Sequence, residues 1–479
     1  MTTTDRLFIG GEWIAPRDGR IVEIRNPFDG GVVGTAALAG AADADAAVGA
    51  AQRALRAWSE TDYAERADIL DRIADVWERR AEELAQSVTL EMGMPIGVSR
   101  FSNGFGSAAT IRFYAAAART RAREETRAPL QFEGEILIRR NPVGVVAALA
   151  PWNFPCQLIA SKVGPALAAG CTVVVKPAAE NALTARLLGE VFEEAGVPAG
   201  VLSVIPGRRD VVTALAGDTR VDKVAFTGST VAGRVIGGLV GERLGLTNLE
   251  LGGKSAAIVL DDADLDATFQ ELPFLAFLNS GQTCFAQTRV IATPGVYDEV
   301  VARFAAWASA QRLGSPLDES TALGPLVSAA QKESVLDFIR RGVASGASLV
   351  AGGEDAAVPP HGNFVAPTVF ADVDNASAIA QEEIFGPVLS IIRARDEAHA
   401  IELANDSKYG LAGSVWTSDI ERGTRIAKRI ESGSVGVNGY RPEQNAPWGG
   451  RKLSGTGREN GPEAVDSFQR VDVVYRFGA

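Results

Sequence analysis

Between residues 143 and 260 one texture recurs. VGVVAALA (143–150), TVVVKP (172–177), VLSVIPG (201–207), DKVAFTG (222–228) and AAIVL (256–260) are short, β-branched and apolar throughout, and helical stretches such as LTARLLGEVFEEAG separate them. A strand with no polar face must be covered on both sides, and intervening helices supply the cover, so the pattern predicts a parallel sheet between helical layers. A second series follows residue 290: VIAT, ALGPLV, SLVAGG, FVAPTVF, VLSIIRA, AGSVWT and GSVGVN, again with helices between. The chain therefore reads as α/β, with two such units joined near residue 255. The first 120 residues read as helices. In ERADILDRIADVWERRAEELAQSV the apolar positions Ile69, Ile73, Val76, Trp77 and Leu84 recur at helical spacing, and EMGMP (91–95) supplies a Gly/Pro stop. LQFEGEILIRR (130–140) alternates apolar and polar residues around Gly134, as an exposed hairpin or edge ribbon does.

Composition removes several function classes. A chain of 479 residues has room for two or three cores, and 46% apolar with 22% charged residues suits an ordinary globular protein. No apolar run approaches the ~18 residues of a membrane span, and MTTTDRLFIGGEW lacks the basic-then-apolar order of a secretory signal. Cys156, Cys171 and Cys284 stand at no metal-like spacing, which argues against a disulfide framework or a metal centre and for a reducing cytoplasm. A net charge of −12 with scattered basic residues argues against nucleic acid as a partner. Only His361 and His399 are present, so a base for a reactive cysteine is better sought among carboxylates.

Cys284 itself lies in NSGQTCFAQTR (279–289), after the apolar stretch LPFLAFL. Buried thiols usually behave as small hydrophobes. Gly281, Gln282 and Thr283 argue instead for a turn that exposes the sulfur, whereas Cys156 and Cys171 read as packing residues. Glu250, in LTNLELGGKS, sits among apolar residues, a setting that raises a carboxyl pKa and suits a general base; a buried Glu paired with Lys is the other reading. Asn153, in PWNFP, is stiffened by flanking prolines and is either an oxyanion donor or a turn residue. FTGSTVAGRVIGGLV (226–240) has a strand end, a turn at Gly228 and Ser229, and a helix containing Gly233; its helix N-terminus suits an anion, although the glycines do not make GxGxxG. GGKS (252–255) is no P-loop, because Asn248 occupies the place of the required glycine. Lys176 ends a strand, where α/β folds bind ligands, but a solvated lysine fits the same position.

Seven segments, PWNFP, KPA, FTGST, LELGGKS, NSGQTC, EEIFGPV (382–388) and PWGGRKLSGTGRE (447–459), follow the order and approximate spacing of the aldehyde dehydrogenase superfamily, which the chain resembles over nearly its whole length. The resemblance implies a Rossmann-like cofactor domain (1–120 and 141–251), a second α/β catalytic domain (252–453), and a β-ribbon oligomerisation element with the C-terminal segment (121–140 and 454–479). It implies NAD(P)-dependent oxidation of an aldehyde through a cysteine thiohemiacetal and thioester. Cys284 matches the nucleophile, Asn153 the oxyanion donor, Glu250 the base that activates water, and Lys162 a position that settles the site's electrostatics. Lys176, Ser229, Glu383 and Phe385 match cofactor-binding positions, joined by Trp152, Ala179, Gly228 and Gly233. Relatives that acylate coenzyme A lack the Glu, so Glu250 favours a free acid product. A non-catalytic binding protein would not need Cys284, Glu250 and Asn153 together, and a cofactor-free thioester hydrolase would not need Glu383 and Phe385.

The chain departs from the family where NAD-preferring relatives have KPxE. Here Ala179 stands in place of that Glu, so NAD is expected to work and NADP to be tolerated. By the same resemblance Phe154, Leu158, Ser161, Leu278, Phe285, Tyr440 and Trp448 line a substrate tunnel. Their apolar character favours aliphatic, terpenoid or aromatic aldehydes, and Ser161, where some relatives carry an aromatic residue, implies extra width. The alternative is a semialdehyde with a second acid, selected by Arg441. The expected partners are a small aldehyde and further copies of the chain, as homodimer or homotetramer.

Overall fold

The computed structural model describes residues 2–17 and 20–478. Its larger sheet has eight strands in the order Gly455–Thr456, Leu246–Glu250, Lys223–Thr227, Val145–Leu149, Thr172–Lys176, Leu202–Val204, Leu7–Ile9 and Glu12–Ile14. The five inner strands pair in parallel. Residues 145–149, 172–176 and 223–227 are buried throughout, as strands covered on both faces must be. Apolar clusters lie on both sides of this sheet, one built around Ile73, Trp77 and Phe192, the other around Val48, Leu149 and Val224.

The second sheet has seven strands, ordered Ser348–Ala351, Thr368–Ala371, Val388–Arg393, Arg289–Ala292, Ala256–Val259, Gly413–Trp416 and Gly436–Val437. All its pairings are parallel except that of the outermost strand, Ser348–Ala351. The chain crosses from one sheet to the other through residues 251–255, directly after Glu250. A three-stranded ribbon, Gln469–Phe477 on Gly134–Pro142 on Glu124–Arg127, stands apart from both sheets.

Two expectations from the sequence need correction. The described residues between 2 and 37 are not helical but supply five short strands, two of which extend the large sheet antiparallel. Leu7–Ile9 is too short to show a period; its identity as a strand comes from pairing Phe8 with Val204, far along the chain. ALGPLV (322–327) forms no strand. Pro325 lacks a ladder donor, and Gly324 packs so closely that a Cβ there would lie 2.0 Å from the Gly93 carbonyl. The helices expected over the ERADIL and AEELAQ stretches are Tyr63–Arg79 and Ala81–Met92, the first capped by Asp62 on the Glu65 N–H and the second closed by left-handed Gly93.

Candidate active site

The helix Leu265–Phe277 ends in a sharp kink. Asn279 (φ 54°), Ser280 (φ 56°) and Gly281 (φ 76°) are consecutive left-handed residues, a conformation that costs free energy at the two non-glycines. Hydrogen bonds hold it in place. Asn279 Nδ2 donates to the Asn153 carbonyl (3.3 Å), Ser280 Oγ to the Gly324 carbonyl (2.8 Å) and Thr283 Oγ1 to the Leu278 carbonyl (2.9 Å), while Gln282 Oε1 accepts from the Val327 N–H (3.0 Å). The turn carries Cys284 out of the core: it is half-buried, whereas Cys156 and Cys171 are fully buried. Burial, followed by the Glu383 and Glu250 carboxylates, pushes the Cys284 thiol well up, so the sulfur keeps its proton until a base removes it.

Asn153 precedes the helix Pro155–Ala169 and is buried. Its Nδ2 donates to the Gln282 carbonyl at 3.0 Å, which fixes the amide against the cysteine turn. An amide nitrogen carries two protons, so one remains for another acceptor.

Glu250 ends its strand buried, and neither carboxylate oxygen has a hydrogen-bond partner among the described residues. Burial raises its pKa well above the carboxylate range. The negative charge of Glu459 adds to this, and Lys162 and Arg458 oppose it. Glu459 is a residue whose role the motif reading missed, although it closes the quoted PWGGRKLSGTGRE. Its carboxylate accepts from Lys162 Nζ (2.8 Å), Ser161 Oγ (3.1 Å) and Asn248 Nδ2 (3.4 Å), and Lys162 also reaches Thr227 Oγ1 (2.6 Å). Ser161 is buried, and its hydroxyl lies 3.1 Å from both a Glu459 carboxylate oxygen and the Leu158 carbonyl, so its single proton serves one of them at a time.

Three of the four aromatic residues assigned to a tunnel, Phe285, Tyr440 and Trp448, form one contact chain. The Phe285 and Tyr440 rings lie 5.7 Å apart, and Trp448 Nε1 donates to the Tyr440 hydroxyl (2.9 Å), which also contacts Ser434 Oγ (2.8 Å). Phe154 and Leu158 lie half-buried at the start of the helix that carries Lys162. Leu278 faces a groove of about 410 Å³ with Val98, Phe274, Phe277 and Trp307. Arg441 is exposed and paired with Glu271 at 2.8 Å.

A dinucleotide fits the residues at the carboxyl ends of the large sheet. Lys176 is buried there, and burial lowers its pKa to about 8 despite the opposing charge of Glu180. Ser229 caps the helix Thr230–Glu242 through the Ala232 N–H. The glycines at 228 and 233 let Phe226 and Leu251 pack where a Cβ would lie 2.4 and 2.5 Å away. Val231 is 75% exposed on that helix and leaves an apolar surface beside its N-terminus. Ala179 packs at the edge of a small apolar cluster with no carboxylate in its place. On the other sheet Glu383 Oε1 accepts from the Gly253 N–H (3.0 Å), and left-handed Phe385 meets Trp152 edge-on at 5.4 Å.

Residues 13–474 match the profile described as the Aldehyde dehydrogenase family. The chain is 48% identical to geranial dehydrogenase of Castellaniella defragrans over 98% of each chain. It is 36% identical to glutarate-semialdehyde dehydrogenase of Pseudomonas putida, over 97% of this chain and 96% of that one. Among solved structures, a Mycobacterium tuberculosis aldehyde dehydrogenase complexed with NAD+ superimposes with a TM-score of 0.96 at 44% identity, covering 99% of this chain and 98% of that one.

Proposed function

The chain belongs to the aldehyde dehydrogenase family, and from that premise we propose that it oxidises apolar aldehydes to carboxylic acids with NAD+. The observation that carries the reading is the meeting of Asn153 with the cysteine turn, beside a buried Glu250 whose oxygens have no partner among the described residues. Cys284 gives up its proton to water, which carries it to solvent, as the sulfur bonds to the aldehyde carbon and the carbonyl π pair moves onto oxygen, forming a thiohemiacetal. The second Asn153 N–H and the Cys284 backbone N–H hold the oxygen as charge develops. The dinucleotide, when bound through Lys176, Ser229, Glu383 and Phe385 with Trp152, Ala179, Gly228 and Gly233 around it, supplies the acceptor for the hydride leaving that carbon. Glu250 then takes a proton from water, whose oxygen attacks the thioester carbon; the C–S bond breaks and the acid leaves. Lys162 stabilises the ionised form of Glu250, and Glu459 raises its affinity for the proton.

An apolar substrate is supported by the Phe285–Tyr440–Trp448 wall and by the 48% identity to a geranial dehydrogenase. Arg441, the residue the semialdehyde alternative relies on, is exposed and paired with Glu271. Reduced cofactor formation at 340 nm over octanal, benzaldehyde, geranial and succinate semialdehyde, with Cys284→Ser as control, tests this. The apolar aldehydes should lead and the control should be inactive; preference for the semialdehyde overturns the substrate class.

With Ala179 in place of a carboxylate and the nearest acid in the chain, Glu180, one residue further on, a 2′-phosphate meets less repulsion than in KPxE enzymes, so NADP+ is tolerated. A kcat/KM ratio favouring NAD+ by more than ~10³-fold, about 4 kcal/mol, defeats that tolerance. We assign residues 1–120 and 141–251 to the cofactor domain, 252–453 to the catalytic domain, and 121–140 with 454–479 to the ribbon and C-terminal segment; residues 1, 18, 19 and 479 lie outside the described residues. The ribbon joins copies of the chain into a dimer or tetramer, and the unpaired thiols suit a reducing cytoplasm.

A further inference from the structure

The helix Pro155–Ala169 begins two residues after Asn153 and carries Ser161 and Lys162, yet it supplies no side-chain cap of its own at its first turn. The residue before it, Phe154, has no hydrogen-bonding side chain, and Pro155 has no N–H. The first free backbone donor is the Cys156 N–H, on a fully buried residue, and a buried donor without a partner is costly. It is answered from 53 positions up the chain, where Asn103 Oδ1 accepts it at 3.2 Å. The far end of the helix is likewise held from outside: buried Arg66 donates to the Ala168 carbonyl at 2.9 Å.

Asn103 has little freedom of its own. It is fully buried in Arg100–Gly106, a π-helical stretch, and this rare winding recurs at functional sites. Its carbonyl accepts from Trp77 Nε1 at 3.1 Å. Its Nδ2 donates to Ser102 Oγ (3.2 Å) and Ser99 Oγ (3.3 Å), with Met94 Sδ also 3.3 Å away. Those two hydroxyls give their protons to the carbonyls of Val98 (2.8 Å) and Ala85 (2.9 Å), so toward Asn103 they can only accept. The network thus settles which way the amide points, nitrogen to the serines and oxygen to the Cys156 N–H.

From Cys156 the constraint passes to the site. Pro155 fixes its own φ, which leaves little slack between Cys156 and Asn153. On its other side Asn153 meets the cysteine turn. Its carbonyl accepts from Asn279 Nδ2 (3.3 Å), and its own Nδ2 donates to the Gln282 carbonyl (3.0 Å). We propose that Asn103 is a positioning residue for Asn153: by accepting the Cys156 N–H it sets the first turn of the helix and, through it, the place of the Asn153 amide against the cysteine turn. The inference rests on the oxyanion reading of Asn153 and adds to it the residue that holds the donor still. Without the Asn103 oxygen the Cys156 N–H turns toward another acceptor and the first turn moves with it, and a misplacement of about 1 Å in a reacting site costs up to ~10²-fold in rate.

Rapid mixing of the full-length enzyme with NAD+ and octanal reads the first burst of reduced cofactor, which the oxyanion donor governs. Asn153→Ala should slow that burst by ~10²–10³-fold. Asn103→Leu, of similar size but without an acceptor, should slow it roughly tenfold and leave the calorimetric affinity for NAD+ unchanged. In the Asn153→Ala background the same Asn103→Leu change should slow the burst no further, because a positioning residue then has nothing left to position. A general structural role would instead slow both backgrounds equally. A folded Asn103→Leu protein with a wild-type burst, or equal slowing in both backgrounds, overturns the proposal. Should that variant not fold, Asn103→Ser, whose hydroxyl ends one atom short of the Cys156 N–H, is put through the same comparison, with the same two results overturning it. A wild-type burst in Asn153→Ala refutes the oxyanion reading instead.

Discussion

Glu250 and Cys284 both hold their protons more tightly than they would in water, because burial penalises either charge. The proposed mechanism needs Glu250 ionised when water attacks, so the steady-state rate should rise with pH through a limb above the ordinary carboxylate range. Glu250→Gln should abolish that limb and slow turnover by ~10²–10⁴-fold, while rapid mixing still shows a first burst of reduced cofactor. Normal steady-state turnover in that variant removes Glu250 from its role. At this scale the sequence was informative about identity and silent about partners. Cys284, Glu250 and Asn153 stood out by their neighbours in the chain. That the Ser161 hydroxyl lies 3.1 Å from Glu459 depends on a contact 298 positions away, which no local pattern encodes.

Among elements, the kinked turn after Phe277 does the most to present the sulfur. Three left-handed residues in a row are tolerated only because side chains from 279 to 283 and the Asn153 and Gly324 carbonyls hold them. Gly281 is the tightest point, since a Cβ there would lie 2.1 Å from the Gly386 carbonyl at a φ of 76°. Gly281→Ala should lower stability by roughly 1–3 kcal/mol, the range for strained backbone sites, and should cut activity further by shifting Cys284 away from Asn153. Thermal unfolding beside the rate of reduced-cofactor formation checks both; unchanged values in both would show that the turn relaxes freely. Element type was legible wherever apolar runs were long and β-branched. It failed for Leu7–Ile9, whose strand identity is conferred by a distant partner, and for ALGPLV, whose proline and close-packed glycine outweigh its apolar character.

Across the whole molecule the ribbon is the feature a single chain leaves unfinished. Val471, Val473, Tyr475 and Phe477 alternate along Gln469–Phe477, so they share one face, and all four are exposed. A flat apolar strand face in water favours burial against another surface. Val473→Asp should reduce the assembled mass in size-exclusion chromatography with light scattering while leaving the fold intact. An unchanged mass takes the ribbon out of assembly. By itself the sequence determined the α/β class, the sheet strands with two covered faces and the ribbon's alternation, and it singled out Cys284 as the candidate nucleophile, because each is carried by nearest neighbours and short periods. Only the tertiary structure decided which groups meet: Asn153 against the cysteine turn, and Glu459 and Lys162 beside Glu250. Those contacts join the two sheets and distant loops, and their electrostatics come from shared burial, a property that belongs to the packed molecule and not to any stretch of chain.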